Sequence, residues 1–488
     1  MVDPKAPISP IREIGGIVFC SGLECGRMDA AFDPFARKMQ AAGLPPVAIE
    51  TFRHYYEQLA AGTTGLVPEA EIEPVDDLPD AEKLGEYADA GAAVLDATVV
   101  VKLNGGLGTS MGMTRAKSLL PVRGDRSFLD VVAEQMLALR RAHRSRLPLV
   151  LMNSYRTRDD SLERLARYEG LSADLPPDFL QHKVPRIRAD DLSPVVWPDD
   201  PDAEWCPPGH GDLYTALVTS GMLARLIEGG YRHAFVSNAD NLGAVLDLDM
   251  LGWFVEQGIP FLMETADRTE ADRKGGHLAR RRADGGLLLR ESAQCPPADQ
   301  AAFQDVRRHR YFNTNSLWLD LPTLAETLEA RGGVLGLPMI RNEKHVVASD
   351  PETPRVYQLE TAMGAAIAVV PGARAVRVPR RRFAPVKTTS DLLVVRSDAY
   401  DLSEGAEMVP ARPTEPLPQV SLDPAYFKDI ADFDARFPAG PPSLCGCRRL
   451  RVEGDVRFAA GVVVEGSVVV RAEPGERLEI PAGTVLRG

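Results

Sequence analysis

A run of β-branched residues, Thr98 to Leu103 (TVVVKL), passes directly into Asn104-Gly105-Gly106-Leu107-Gly108-Thr109-Ser110-Met111-Gly112. The run reads as a buried strand, and the glycines as a loop leaving its end. Four glycines between positions 105 and 112 let the main chain pass close to a ligand, where its N–H groups can cradle a phosphate or a base edge. Two familiar phosphate motifs do not fit. A P-loop needs GxxxxGK[ST], which is absent, and a dinucleotide fingerprint needs GxGxxG opening a helix. Here Gly112 falls one residue too late after Gly106 and Gly108. On its own, such a loop also serves as a plain tight turn. Lys117, five residues past Gly112, could reach back over the loop or could simply be a solvated surface lysine.

The surroundings of the loop predict its fold class. From Ala97 to about Ser397, short apolar strands alternate with helical stretches. Strand candidates are Leu147 to Met152, His233 to Ser237, Ile259 to Thr265 and Leu317 to Leu319; helical candidates are Phe128 to Arg144 and Gly211 to Glu228. Such alternation predicts an α/β domain with a largely parallel sheet. Before it, Phe32, Phe35, Met39, Ile49, Phe52 and Tyr56 recur at helical intervals, broken by Gly43, Pro45 and Pro46. After it, a segment rich in proline and acidic residues, about Asp398 to Pro442, reads as a linker. From Leu450 onward the chain alternates with period two, punctuated by Gly454, Gly461 and Gly466, which suits a β-solenoid or a small sheet. Three parts are expected in 488 residues: a mostly helical region over 1–96, a catalytic domain over 97–397, and a linker plus tail over 398–488.

Composition removes several partners. Lys and Arg number 56 against 69 Asp and Glu, a formal net charge of −13, which disfavours nucleic acid and anionic membranes. No apolar run approaches the roughly 18–20 residues of a membrane span. The opening MVDPKAPISPIREIGGIVFC carries prolines and charges where a signal peptide would be continuously apolar. Six cysteines offer no second pair at zinc spacing beside Cys445 and Cys447, so reduced, mostly buried thiols in the cytoplasm are expected.

The run KLNGGLGTSMG followed by KSLLPV resembles the signature of the eukaryotic-type UTP–glucose-1-phosphate uridylyltransferases, or UDP-glucose pyrophosphorylases. The likeness returns in LMNS (151–154), PRI (185–187), PPGHGDLY (207–214), SNADNLGAVLD (237–247), FLMET (261–265), ADRKGG (271–276), FNTNSLW (312–318), QLETAMGAAI (358–367) and VPRRRFAPVKTTSDLL (378–393). The resemblance implies an α/β nucleotidyltransferase core, Rossmann-like with a mostly parallel mixed sheet. It also implies a small helical N-terminal region and a C-terminal left-handed β-helix. The implied reaction joins UTP and α-D-glucose 1-phosphate into UDP-glucose and pyrophosphate, with Mg²⁺ as cofactor.

Residue by residue, the resemblance implies that Leu103, Asn104, Gly105 and Gly106 hold uracil and ribose. Gln181 would read the uracil edge, since an amide matches its adjacent carbonyl and imide N–H. Gly209 would let the chain approach the base, and His210 would point toward the sugar phosphate. Asp240 would ligate Mg²⁺, a lone carboxylate beside substrate phosphates being an ordinary magnesium site. Lys117 and Lys387 would neutralise phosphate charge, and Asn238, Gly276, Glu291 and Asn315 would meet sugar hydroxyls. His210, Asp240, Asn238, Gly276, Glu291 and Asn315 also have plain turn, cap or packing readings. The family usually has proline where Ala116 stands, and an aromatic where Cys206 stands. Some longer members associate through the tail, so a homo-oligomer stays open.

Two competing functions are weighed. One is a uridylyltransferase for another sugar 1-phosphate, such as galactose or N-acetylglucosamine; hexosamine-type relatives typically carry a GGQGTRLG-like loop, whereas this chain has GGLGTSMG. The other is an inactive nucleotide-sugar scaffold, which would be expected to lose Lys117, Asp240 or Lys387; all three are present. Glycine spacing disfavours an NAD dehydrogenase. The basic run Arg380-Arg381-Arg382 is expected to be a solvated loop face.

Overall fold

The computed structural model describes residues 22–171, 174–412 and 416–488. At its centre the strand Thr98–Asn104 lies between His233–Asn238 and Leu149–Asn153, parallel to both, with Asp178–Leu180 parallel beyond the latter. Val99, Val100 and Val101 are all but inaccessible, as an unbroken valine run in a doubly covered sheet should be. Because side chains alternate across a strand, Val100 enters the cluster built on Phe128, Leu129 and Val132 of the helix Phe128–His143. Val99 and Val101 enter the opposite one, against Leu213, Leu217 and Leu226.

The other half of the sheet is organised by Tyr311–Asp320. It runs antiparallel to His233–Asn238, to Phe261–Asp267 and to His277–Arg281, while Arg374–Arg377 returns parallel to Phe261–Asp267. The sheet is therefore mixed, with four adjacent parallel strands on the side that carries the glycine loop and one further parallel pair in the other half. Two strand candidates, His233 to Ser237 and Leu317 to Leu319, fall inside observed strands; the other two overlap Leu149–Asn153 and Phe261–Asp267 but begin two residues early.

The helical stretch expected over Gly211 to Glu228 is two helices, Leu213–Thr219 and Met222–Glu228. Gly221 between them takes φ +72°, a left-handed turn that glycine adopts without steric cost. The N-terminal pattern forms Gly22–Ala41 and Pro46–Ala60. Their six recurring residues, Phe32 to Tyr56, are all buried, packed on Val184, Ile187 and Leu359.

Two expectations are corrected. The segment 398–442 is not a free linker: Tyr400–Leu402 pairs with Met408–Pro410, and Gln419–Leu422 pairs parallel with the tail strand Cys447–Glu453. One of its acidic residues ties the segment to the tail: Asp398 takes hydrogen bonds from Ser443 Oγ, Leu444 N and Cys445 N at 2.6, 2.7 and 3.0 Å. Nor is the basic run a solvated face throughout. Arg382 is 7% exposed and forms a two-pronged pair with Glu264, itself inaccessible, while Arg380 and Arg381 pair with Asp272 and Glu82.

The tail stacks parallel strands one coil apart. Asp455–Phe458 lies on Arg477–Ile480, and Val463–Arg471 on Val485–Arg487. Arg477–Asp455, Arg457–Glu479 and Arg487–Glu465 each pair across 22 residues of sequence. Cys206, Cys295 and Cys447 are buried free thiols and Cys445 is partly exposed; Cys20 and the Cys25 side chain lie outside the described residues. Among the described residues, no helix is long and apolar enough to cross a membrane.

Candidate active site

The parallel strands send their C-terminal ends to one rim. Leu103 and Asn104 close the central strand, and Leu103 stands in register with Asn238. The Asn104 side chain turns inward, donating to Asn153 Oδ1 at 2.7 Å and Ser161 Oγ at 2.8 Å. That leaves the main chain, not the amide, to face the opening. Gly105 follows, and a Cβ there would stand 2.6 Å from Gln181 Oε1. The Gln181 amide thus lies directly on the glycine loop. Gly105 O also accepts from Ser154 Oγ at 3.1 Å, and Gly106 O accepts from Lys117 N at 3.0 Å.

Lys117 folds back across the loop. Its Nζ lies 2.5 Å from Asp240 Oδ2, both side chains about one-sixth to one-quarter exposed at 15% and 23%. The two groups that the resemblance assigns to phosphate and metal therefore share one small space. Asp240 stands just beyond the His233–Asn238 strand, and Ala239 N donates to Leu103 O at 3.0 Å. Among the described residues there is no cluster of three or more His, Cys, Asp or Glu able to hold a metal alone. A single hard carboxylate fits Mg²⁺ that arrives with substrate phosphates.

Asn241 carries the rim onward. It donates to Arg382 O at 3.1 Å and accepts from Ala384 N at 2.9 Å, in an isolated bridge to Pro385. This brings in the segment that ends at Lys387. Lys387 is exposed, its N–H donates to Asp391, and its ammonium electrostatically opposes the burial that raises the Glu291 carboxyl. Glu291 in turn presses on Gly276: a Cβ there would meet Glu291 Oε2 at 2.4 Å. Gly276 O accepts from Asn313 N at 3.2 Å, and Asn313 Nδ2 donates to Asn315 Oδ1 at 2.7 Å. Asn315 has φ +57°, at the register shift opposite Glu264 and Thr265. A bulge there re-aims its side chain out of the ladder.

The circuit returns through His210. A Cβ at Gly364 would meet Asn313 Nδ2 at 2.9 Å, and the next residue back, Met363, donates its N–H to His210 Nδ1 at 3.0 Å. Burial holds the His210 imidazole down at about 4, so it is neutral near pH 7. With Nδ1 accepting, its proton sits on Nε2, a donor able to meet a phosphate oxygen. Gly209, next to it, is packed tightly against the chain: a Cβ there would stand 2.4 Å from Thr361 O. Asp212 then closes the ring, accepting from His182 N at 2.7 Å and contacting His182 Nδ1 at 2.9 Å, beside Gln181.

All fourteen sequence-selected residues thus lie on, or immediately beside, one circuit of contacts and chain neighbours, closed between Lys387 and Glu291 by electrostatics alone. Three of their side chains, Gln181, Asn238 and Lys387, have no hydrogen-bond partner among the described residues and are at least partly exposed. Sequence reasoning missed the residues that join the arms: Asn241, the His182–Asp212 pair, and Lys102 beneath Asp240. Lys102 carried a signal, a lone charge in a strand otherwise built of valines.

Residues 49–465 match the family model described as UTP–glucose-1-phosphate uridylyltransferase. A probable UTP–glucose-1-phosphate uridylyltransferase of Schizosaccharomyces pombe is 41% identical over 416 residues, covering 84% of this chain and 81% of that protein. The Hordeum vulgare UTP–glucose-1-phosphate uridylyltransferase is 40% identical over 403 residues, covering 82% and 83%. Among solved structures, a variant UDP-glucose pyrophosphorylase from Leishmania major in complex with UDP-glucose superposes with a TM-score of 0.89 at 45% identity, over 94% of this chain and 98% of that one.

Proposed function

The chain belongs to the UTP–glucose-1-phosphate uridylyltransferase family and is a nucleotidyltransferase, and from that premise we propose how the ring of residues works. UTP lies with its uracil on Gln181 and the Leu103–Gly106 backbone, and its phosphates toward Lys117 and Asp240. Glucose 1-phosphate lies toward His210, Asn238, Gly276, Glu291 and Asn315, with Lys387 between the two substrates. A phosphate oxygen of glucose 1-phosphate attacks the α-phosphorus of UTP in line. The bond from the α-phosphorus to the bridging oxygen breaks, and pyrophosphate leaves with that electron pair. No proton transfer or covalent enzyme intermediate is needed, so positioning and charge neutralisation carry the rate.

Magnitudes favour this division of labour. UTP brings about four negative charges and glucose 1-phosphate about two, so the reactants repel. Two unit charges at ~4 Å interact by roughly 4 kcal/mol at an effective dielectric of ~20. Lys117 and Lys387 supply fixed positive charge on both sides of the α-phosphate. Asp240 would hold Mg²⁺, which when bound neutralises phosphate charge as a Lewis acid. Its ion pair with Lys117 pre-sets both groups before substrate arrives.

The single observation that carries this reading is the Lys117–Asp240 contact beneath the glycine loop. Around it we read the chain as three parts, 1–96, 97–397 and 398–488. Two features support a left-handed β-helix in the tail, with its handedness taken from the family: parallel stacking and ion pairs repeated across 22 residues. Sparse free thiols suit a reducing cytoplasm.

The test is pyrophosphate release from four nucleoside triphosphates crossed with several sugar 1-phosphates. UTP with glucose 1-phosphate is expected to dominate, because a site that hydrogen-bonds a substrate group can reject a mismatch by roughly 10⁴. Comparable rates with ATP or GTP would refute the base assignment. Equal rates with galactose or N-acetylglucosamine 1-phosphate would move the assignment to a broader sugar specificity.

A further inference from the structure

Lys102 is the only charged residue in the strand Thr98–Asn104, and it is 2% exposed. An ammonium ion removed from water is costly unless its donors are used. Burial pulls it down to about 7, a drop that Arg382 deepens and that Glu264 and Asp240 oppose. No carboxylate is within ion-pair distance among the described residues. Its hydrogen bonds go instead to Ser237 Oγ at 2.7 Å and Ala244 O at 2.8 Å.

Those two acceptors flank one short segment. Ser237 belongs to the strand just before Asn238 and Asp240, and Ala244 follows them. One ammonium therefore ties down both ends of the loop that presents the free Asn238 side chain and the Asp240 carboxylate. The strand that carries Lys102 continues two residues later into the glycine loop, so the same residue links both arms of the cleft. A shorter hydroxyl or amide side chain from this buried strand position would not span both acceptors.

We propose that Lys102 is a positioning residue for the reaction, a buried clamp that fixes the Asn238–Ala244 loop, and with it Asp240, against the nucleotide-binding strand. This inference rests on the reading of Asp240 as a phosphate-side and metal-side group. It assigns to Lys102 no contact with either substrate.

The test uses the full-length protein with Lys102→Met, which keeps length and removes the donors. Circular dichroism reports folding, hydrogen–deuterium exchange reports the loop, and steady-state kinetics separates kcat from KM. The expected result is faster amide exchange across residues 237–244 with unchanged exchange in Leu149–Asn153. Turnover should fall by at least ~30-fold while KM for UTP moves by less than about threefold, since only the transition-state arrangement is lost. Unchanged exchange in 237–244, or turnover within about threefold of the parent protein, would overturn the proposal.

If Lys102→Met does not fold, Ser237→Ala removes one anchor and leaves the ammonium its bond to Ala244 O. It should raise exchange over 237–241 and lower kcat by about fivefold or more; no change in either would overturn the clamp. Asp240→Asn, assayed alongside, separates the two claims. Wild-type turnover in that variant would refute the reading of Asp240, while the exchange data would still decide whether Lys102 holds the loop.

Discussion

Three Val-Val-Val triplets occur in this chain, and the structure uses the first and the last in opposite ways. Val99, Val100 and Val101 are 0%, 2% and 1% exposed; Val468, Val469 and Val470 are 7%, 60% and 6% exposed. Both triplets lie in parallel strands. The first is covered on both faces by helices, and the second has one face in a core and one in water. A doubly covered sheet presents only its strand ends to solvent. The loops after Asn104, Asn153, Leu180 and Asn238 therefore gather at one rim, where ligands of open α/β sheets bind. The tail strands end instead in glycine turns and are held by surface ion pairs. Parallel pairing builds both, but it is the doubly covered sheet that gathers the candidate site residues at one rim.

The largest effect expected falls on the tail and concerns stability. Phe458 is inaccessible and stacks on Phe437 with ring centroids 5.0 Å apart. Phe458→Ala should cost about 3–5 kcal/mol, read from denaturant unfolding, with kcat of the folded enzyme unchanged. On the cleft side, Lys117→Ala and Asp240→Ala should each lower kcat by at least ~10²-fold without loss of the circular dichroism spectrum. Apparent Mg²⁺ dependence should weaken in Asp240→Ala.

A smaller effect is expected on base choice. Gln181→Ala should relax the preference for UTP over other triphosphates by roughly tenfold or more, measured as a ratio of kcat/KM values. An unchanged ratio would remove Gln181 from base recognition.

The pH dependence of stability has a defined sign. His210 drops from 6.5 to about 4 on folding, and burial also lowers His277 and His309. Between pH ~6.5 and ~4 the unfolded chain then binds more protons than the folded one, so stability rises with pH across that window. Tm should climb from pH ~4.5 to ~6.5, and His210→Asn should flatten part of the climb. The smallest effect is on Arg381, which pairs with Glu82 at the surface. Arg381→Ala should change kcat by less than about threefold, as exposed ion pairs contribute little.

The sequence made the glycine loop, the parallel strands beside it and most rim residues legible, because strand runs and contiguous motifs are local signals. The joints were not legible. Asn241 meets Arg382 across 141 residues, and Lys102 meets Ser237 across 135; no periodicity connects such positions. The segment after Asp398 was misread because proline and acidic residues suggest a solvated linker. In the fold those acids are caps and acceptors, with Asp423 taking hydrogen bonds from Ala425 N and Gly454 N at 3.0 and 2.9 Å. Arg382 was misread for the same reason: composition does not reveal the inaccessible Glu264 waiting across the sheet.

The most direct test of the division between cleft and tail measures kcat and Tm on two preparations, Lys387→Ala and Phe458→Ala. Lys387 is exposed and makes no ion pair among the described residues, so its loss should leave Tm within about 2 °C while kcat falls at least ~10²-fold. Phe458→Ala should do the reverse, lowering Tm by several degrees while leaving kcat within about twofold. If Lys387→Ala keeps wild-type turnover while Phe458→Ala, still folded at the assay temperature, loses it, the chemistry has been placed in the wrong part of the molecule.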